Sequence, residues 1–254
     1  MSTTHTAHSL GWLPDLPDFR DFMYAAPTAI ASAIPTSMDL RNGCPPVYDQ
    51  GQLGSCTANA LAGAFEFDLK KQKKTDFMPS RLFIYYNERV LINTVNSDSG
   101  AYIRDGIKTM NKEGVCPETE WPYVIAKFAQ KPPAICYTDA KKNQIKSYQR
   151  LVNSLNQLQS CIAEGFPFVF GFTVYESFMT AEVAKTGLVP MPKRTEKVLG
   201  GHAVMAVGYD DKKQVFIVRN SWGKGWGDKG YFYMPYAYIT DQNKCDDFWT
   251  IRLI

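Results

Sequence analysis

The apolar pattern of this chain changes period past its midpoint. From Cys56 to Lys70, Ala58, Leu61, Ala62, Phe65 and Leu69 recur at the spacing of one helical face. Gly54 and Ser55 precede that run, and Ser55 reads as its N-cap. Two more helical stretches are predicted around Ser80–Leu91 and Ile103–Glu113, the second ended by Gly114. After residue 165 the runs become β-type: 168–174, 203–209, 215–219 and 230–234, with turn signals at Asp210-Asp211 and Lys224-Gly225. Helices first and strands second predict an α+β fold of two lobes. The helical lobe would span about 50–135 and the β lobe about 145–250, joined through the Pro-rich stretch Lys131–Cys136.

The 254 residues are 45% apolar, enough for a large core. A net charge of +3 without a basic stripe gives no reason to expect nucleic acid as a partner. The longest apolar run, Phe166 to Val174, is too short to cross a bilayer, so no membrane association is expected, and a monomer is. Met1 to His5 lack a basic and then apolar leader, so no secretory signal is visible. That leaves the compartment open between the cytoplasm and export by a route without a standard signal. Six cysteines stand at 44, 56, 116, 136, 161 and 245, no pair at metal-ligand spacing, and histidines number three. Neither a metal nor a cofactor is expected. Most of the cysteines should be buried thiols; a Cys116–Cys136 bridge is the alternative for that pair.

Residues 1–34 read as an irregular, turn-rich arm. It carries Leu10, Trp12, Leu16, Phe19, Phe22 and Tyr24, too much apolar surface for a solvated tail. The arm should therefore dock, either over a cleft or as a strap behind the β lobe.

Four side chains suggest chemistry. Cys56 opens a helix, where the positive end of the dipole favours thiolate. His202 is the one histidine beyond the first eight residues and opens a β run. Asn220 ends another strand, where its carbonyl would fix one nitrogen of His202 and Trp222 would cover that bond. Gln50, six residues before Cys56, would pair with the Cys56 N–H as an oxyanion donor. Each has a plainer reading alone: a core cysteine, a strand histidine, a turn asparagine, a solvated glutamine. Together they supply a nucleophile, its base, an orienting group and an anion donor.

The run Gln50-Gly51-Gln52-Leu53-Gly54-Ser55-Cys56 resembles the nucleophile segment of the papain family. Gly201-His202-Ala203-Val204 resembles that family's histidine strand, and Asn220 to Gly227 its Asn-Ser-Trp-Gly loop. Pro35 to Arg41 is similar to the start of a mature domain of the family, and Glu120-Trp121-Pro122-Tyr123 to its Tyr-Pro-Tyr segment. The resemblance covers nearly all of 35–254, with 1–34 as the arm. It implies a helical lobe and a β-barrel lobe with the active site in the groove between them. The short arm and Thr57 resemble a bacterial branch of the family. Two departures stand out: Leu53 replaces an expected cysteine, so the disulfide usual there is excluded, and Thr57 replaces a tryptophan. The long inhibitory pro-region usual in the family is absent from this sequence.

By the same resemblance, Gly100 would pair with the backbone of an extended peptide substrate. Tyr102, Gly171, Gly200 and Ala203 would line a roomy pocket, and Trp222 would flank the site. The implied function is thiol-dependent endopeptidase cleavage of peptide or protein substrates. Another acyl transfer or isopeptide cleavage by the same residues is the alternative. A non-catalytic binding protein is a reading of a different class, and retention of Cys56 argues against it.

Overall fold

A computed structural model describes residues 9–253. Short elements α1 (Thr28–Ala31) and β1 (Ser37–Asp39) precede three long helices: α2 (Cys56–Lys71), α3 (Arg81–Leu91) and α4 (Ile103–Lys112). Then come α5 (Ala134–Ala140), β2 (Ser147–Arg150), α6 (Leu155–Ala163), β3 (Phe168–Tyr175) and α7 (Ala181–Thr186). The chain closes with β4 (Val198–Asp210), β5 (Val215–Arg219), β6 (Tyr231–Pro235), α8 (Tyr236–Ile239) and β7 (Cys245–Arg252).

The predicted first helix is present, but it is buried all round from Cys56 to Leu69 rather than on one face. Its small residues explain this. Ala58, Ala60, Ala62, Gly63 and Ala64 let α3 and α4 approach on one side and β4 on the other. A helix apolar on every side belongs between two layers, and α2 is that spine. Ser55 precedes α2 without capping it: its hydroxyl bonds to the Tyr123 hydroxyl and takes a bond from Asn59. Ser80 does cap α3, accepting from the Phe83 N–H.

The strands form one antiparallel sheet in the order β2-β7-β3-β4-β5-β6. Expected as a barrel, the sheet is open. β4 is long enough to change partners: β3 flanks it as far as Ala206, and β1 takes over at Gly208–Asp210. Alternation on β3 and β4 separates two cores. Phe168, Phe170, Phe172, Val204 and Ala206 face an aromatic cluster with Phe178, Phe216 and Phe232. Val169, Ala203, Met205 and Val207 face the helices. Consecutive β4 residues thus reach into both lobes, which places His202 and Ala203 at their junction.

Candidate active site

Cys56 is the first residue of α2 and is wholly buried. The turn before it is braced from outside. The Asp98 carboxylate accepts the Gly54 N–H at 3.0 Å through each oxygen. The Tyr123 hydroxyl donates to the Gln50 carbonyl at 3.0 Å. Behind Cys56, the Thr57 hydroxyl donates to Glu88 at 2.8 Å. Thr57 thus fills the place of a large aromatic with a buried polar pair. Full burial pushes the Glu88 carboxyl well above its ordinary range.

His202 and Asn220 meet as expected of them: Nε2 lies 2.8 Å from Asn220 Oδ1. Asn220 Oδ1 also accepts the Ser221 N–H at 2.9 Å, which fixes the amide with its oxygen toward the ring. His202 Nε2 is therefore the protonated nitrogen, and Nδ1 is the one directed elsewhere. Trp222 stacks on the imidazole with centroids 4.8 Å apart and planes 26° from parallel. Phe172 meets it edge-on. This apolar jacket excludes water from the His202–Asn220 bond.

Gln50 joins the same loop. Its N–H donates to the Ser221 carbonyl at 2.9 Å, and its Oε1 accepts the Ser221 hydroxyl at 2.6 Å. With Oε1 occupied, Nε2 must point the other way, where it donates to the Leu53 carbonyl at 2.9 Å and the Ser9 carbonyl at 3.0 Å. The sequence reading did not single out Ser221, although it sits inside the quoted loop.

The second carbonyl belongs to the arm. Ser9 to Leu13 run extended between the lobes. Ala101 donates to the Gly11 carbonyl at 2.9 Å and accepts from Leu13 at 3.0 Å; the Gly201 carbonyl accepts the Trp12 N–H at 3.0 Å. Trp12 lies against Gly171 and Gly201, and Leu10 lies against Gly200. The strand edge facing this segment is thus Ala101. The expected Gly100 instead gives its N–H to the Tyr85 hydroxyl at 3.2 Å. Gly100 has φ +74, which turns the chain so that Ala101 faces the cleft. Tyr102 follows at the N-cap of α4.

Burial beneath this segment acts on the Cys56 thiol. It pushes the Cys56 thiol up to about 12, against backbone hydrogen bonds from Ala203, Gly11 and Thr57 that favour thiolate. Burial in the covered cleft therefore opposes the lowering expected at a helix start.

Only part of the arm's apolar surface is buried. Trp12 and Tyr24 are, whereas Leu16 and Phe22 are largely exposed and Phe19 is 100% exposed. The polar contacts do more to fix it. Arg104 on α4 holds Asp21 side-on through Nε and Nη2, at 3.0 and 2.6 Å, and its Nη1 donates to the Leu16 carbonyl at 2.6 Å. Asp247 on β7 accepts the Trp12 indole N–H at 3.0 Å and the Asp15 N–H at 2.7 Å. Asp15 in turn accepts from the Trp249 indole at 3.1 Å. Burial, and the facing carboxylate of Asp247, raise Asp15 well above the ordinary carboxylate range; Asp247 is raised as well, chiefly by burial. All six cysteines are free thiols.

The comparisons agree with this geometry. A family model described as "Papain family cysteine protease" matches residues 34–247. An uncharacterized peptidase C1-like protein of Acanthamoeba polyphaga mimivirus is 51% identical over 213 residues, 80% of this chain and 68% of that one. This chain spans 59% to 65% of the length of five further curated relatives. The crystal structure of xylellain, a cysteine protease from Xylella fastidiosa, is similar at TM-score 0.93 and 45% identity over 97% of both chains. A digestive procathepsin L 3 of Tenebrio molitor larval midgut shares the fold at TM-score 0.73 and 22% identity, over 92% of this chain and 74% of that one. From its nucleophile turn to its asparagine loop, this chain belongs to the papain family of cysteine proteases.

Proposed function

We propose that this protease cleaves internal peptide bonds through an acyl-enzyme on Cys56. Once the arm leaves, water re-enters and the α2 dipole acts on an exposed sulfur, so the thiol proton passes to His202 Nδ1. The thiolate attacks the substrate carbonyl carbon, and the C=O electron pair moves onto oxygen. Gln50 Nε2 and the Cys56 N–H receive that oxyanion. Collapse expels the amine, which takes its proton from His202. A water molecule then gives a proton back to His202, attacks the thioester, and releases the acid with Cys56 restored as a thiol. Asn220 holds Nε2 throughout, so that Nδ1 alone exchanges protons.

The observation that carries this reading is the Ser9 carbonyl on Gln50 Nε2 at 3.0 Å, with Gly11 bonded to Cys56 on the same strand. A peptide carbonyl already lies on the donor assigned to the oxyanion. The segment continues past Cys56 to Leu13, so chain is accommodated along the groove beyond the nucleophile, which favours endopeptidase action. The Gly11 backbone hydrogen bond points at the Cys56 sulfur. We read the arm as a built-in cover that keeps the enzyme latent.

A fluorogenic peptide library incubated with the full chain, with Trp12→Ala and with Cys56→Ala tests the assignment. Hydrolysis should be weak in the full chain, stronger in Trp12→Ala and absent from Cys56→Ala. Equal hydrolysis by Cys56→Ala would overturn it.

A further inference from the structure

Outside the cleft, one group of ligating side chains is assembled by the fold from segments that sequence spacing keeps apart. Cys116 lies just before Pro117, its carbonyl accepting the Ser80 N–H at 2.8 Å. Cys136 sits in the first turn of α5. Both are fully buried. The two sulfurs and a carboxylate oxygen of Glu120 all lie within 4.8 Å of one another. Glu120 follows Cys116 by four residues, and Asp139 follows Cys136 by three, so each cysteine has a carboxylate about one helical turn along its own segment.

These groups satisfy one another only in part: Cys116 and Cys136 are hydrogen-bonded to each other, as are Glu120 and Asp139. Glu120 Oε2 is buried with no hydrogen-bond partner among the described residues. The nearby cation is Lys142, which pairs with Asp139 at the surface. Two buried thiols and one oxygen of Glu120 thus lie together, with Asp139 beside Glu120 and Lys142 on Asp139 at the surface. An open cavity of about 650 Å³ is lined by Pro117, Glu120, Asp139 and Lys142, so that it reaches the group from the Glu120 side.

We propose that Cys116, Cys136 and Glu120 form a binding site for one thiophilic divalent cation of the zinc class. Asp139 stands behind Glu120 as the carboxylate that orients it, and a water completes a tetrahedral set. Zinc–sulfur bonds near 2.3 Å and zinc–oxygen bonds near 2.0–2.2 Å put tetrahedral ligand atoms somewhat under 4 Å apart. Closure from the present spacing is therefore a matter of side-chain rotation. Thiolates select zinc over calcium or magnesium. Binding converts two thiols to thiolates and releases two protons per ion. A disulfide would engage the sulfurs and leave the buried Glu120 oxygen unsatisfied. The bound ion would tie α5 to the segment leading into Trp121-Pro122-Tyr123. Tyr123 touches the Gln50 carbonyl, so the site braces the nucleophile turn from a distance without entering the reaction.

The test is titration of the full chain, reduced and metal-free, in a Cys56→Ala background so that the cleft thiol does not compete. Cobalt(II) alone should give a saturable one-to-one thiolate-to-cobalt charge-transfer band with tetrahedral visible bands. Zinc should displace it, and two protons should be released per ion. Zinc should raise the melting temperature. Cys116→Ser and Cys136→Ser should each abolish the band, while Cys44→Ser and Cys161→Ser keep it. Asp139→Asn should weaken binding about 10–100-fold, as the loss of an orienting partner does. No stoichiometric band in the folded parent protein would overturn the proposal, as would a band that survives both serine substitutions. Loss of both thiols to alkylation in the air-equilibrated parent, with a mass lower by two hydrogens and no bound zinc, would identify a disulfide instead and equally overturn it.

Discussion

Ser221 donates its hydroxyl to Gln50 Oε1 at 2.6 Å, 171 residues away in sequence. Through its N–H, the same residue fixes Asn220, whose Oδ1 also receives His202. One serine therefore sets the direction of the proposed oxyanion donor and helps set the tautomer of the proposed base. Loss of an oxyanion donor typically costs about 10²–10³ in kcat, and Gln50→Ala should show that loss with KM little changed. Ser221→Ala should show a smaller loss. Because Ser221 acts through Gln50, the double variant should be no slower than Gln50→Ala alone. Additive losses in steady-state kinetics would assign Ser221 an independent role.

His202→Ala should leave a folded protein with almost no turnover. With the cleft uncovered, kcat/KM should follow a bell in pH if Cys56 and His202 act as the proposed nucleophile and base. Asn220→Ala should be milder, because Asn220 orients the ring and does not itself react. Near-normal hydrolysis by His202→Ala would refute its role as base.

Trp12 links the arm to both Gly171 and Asp247. Removing a buried Trp side chain costs about 3 kcal/mol or more, roughly a hundredfold in a docking equilibrium. Trp12→Ala should therefore raise activity on small peptides, and a synthetic arm peptide added in trans should suppress it. Gly11→Ala should act in the same direction, because a Cβ there would lie 1.9 Å from the Gly54 carbonyl oxygen. Unchanged activity in both variants would leave the arm as a structural strap.

The latch should respond to pH. Docking raises Asp15 from 3.8 to about 7, so the docked state binds protons more tightly than the free arm. Docking is then strongest in acid and weakens as pH rises from the ordinary carboxylate range toward 7. Asp247 and Asp246 on β7 face Asp15 or its neighbours; so do Arg104 on α4, Arg150 on β2 and Asp21 on the arm. Their balance leaves Asp15 and Asp247 as the pair that gains by holding protons. The activity ratio of the full chain to Trp12→Ala should rise between pH 5 and 8, and Asp15→Asn should flatten that rise. A ratio falling with pH would reverse the assignment.

Much of this arrangement was readable from the chain because its parts are local. The spacing from Gln50 to Cys56, the scarcity of histidine and the Asn220-Ser221-Trp222-Gly223 loop are each short-range signals. What escaped depends on long-range pairing. β7 was missed because Asp246 and Asp247 interrupt its apolar pattern; their partners, Arg150 and the arm, are distant in sequence. β2 is short and half-exposed, with no apolar alternation to announce it. The arm pairs with Ala101 rather than with Gly100, the residue expected to meet a substrate backbone, because a glycine that turns the chain and the residue that offers its backbone look alike in sequence. The arm's apolar content suggested burial of six side chains, yet a buried carboxylate cluster and one indole hold it while Phe19 stays in water.

If Cys56 is the one nucleophile and the arm lies over it, its reactivity should report both. Peptide mapping by mass spectrometry after limited exposure to a thiol-directed epoxide, in the full chain and in Trp12→Ala, reads this out. A single adduct should form on Cys56, slowly in the full chain and much faster in Trp12→Ala, with the other five cysteines unmodified. Preferential labelling of any other cysteine, or equal rates at Cys56 in the two proteins, would contradict it.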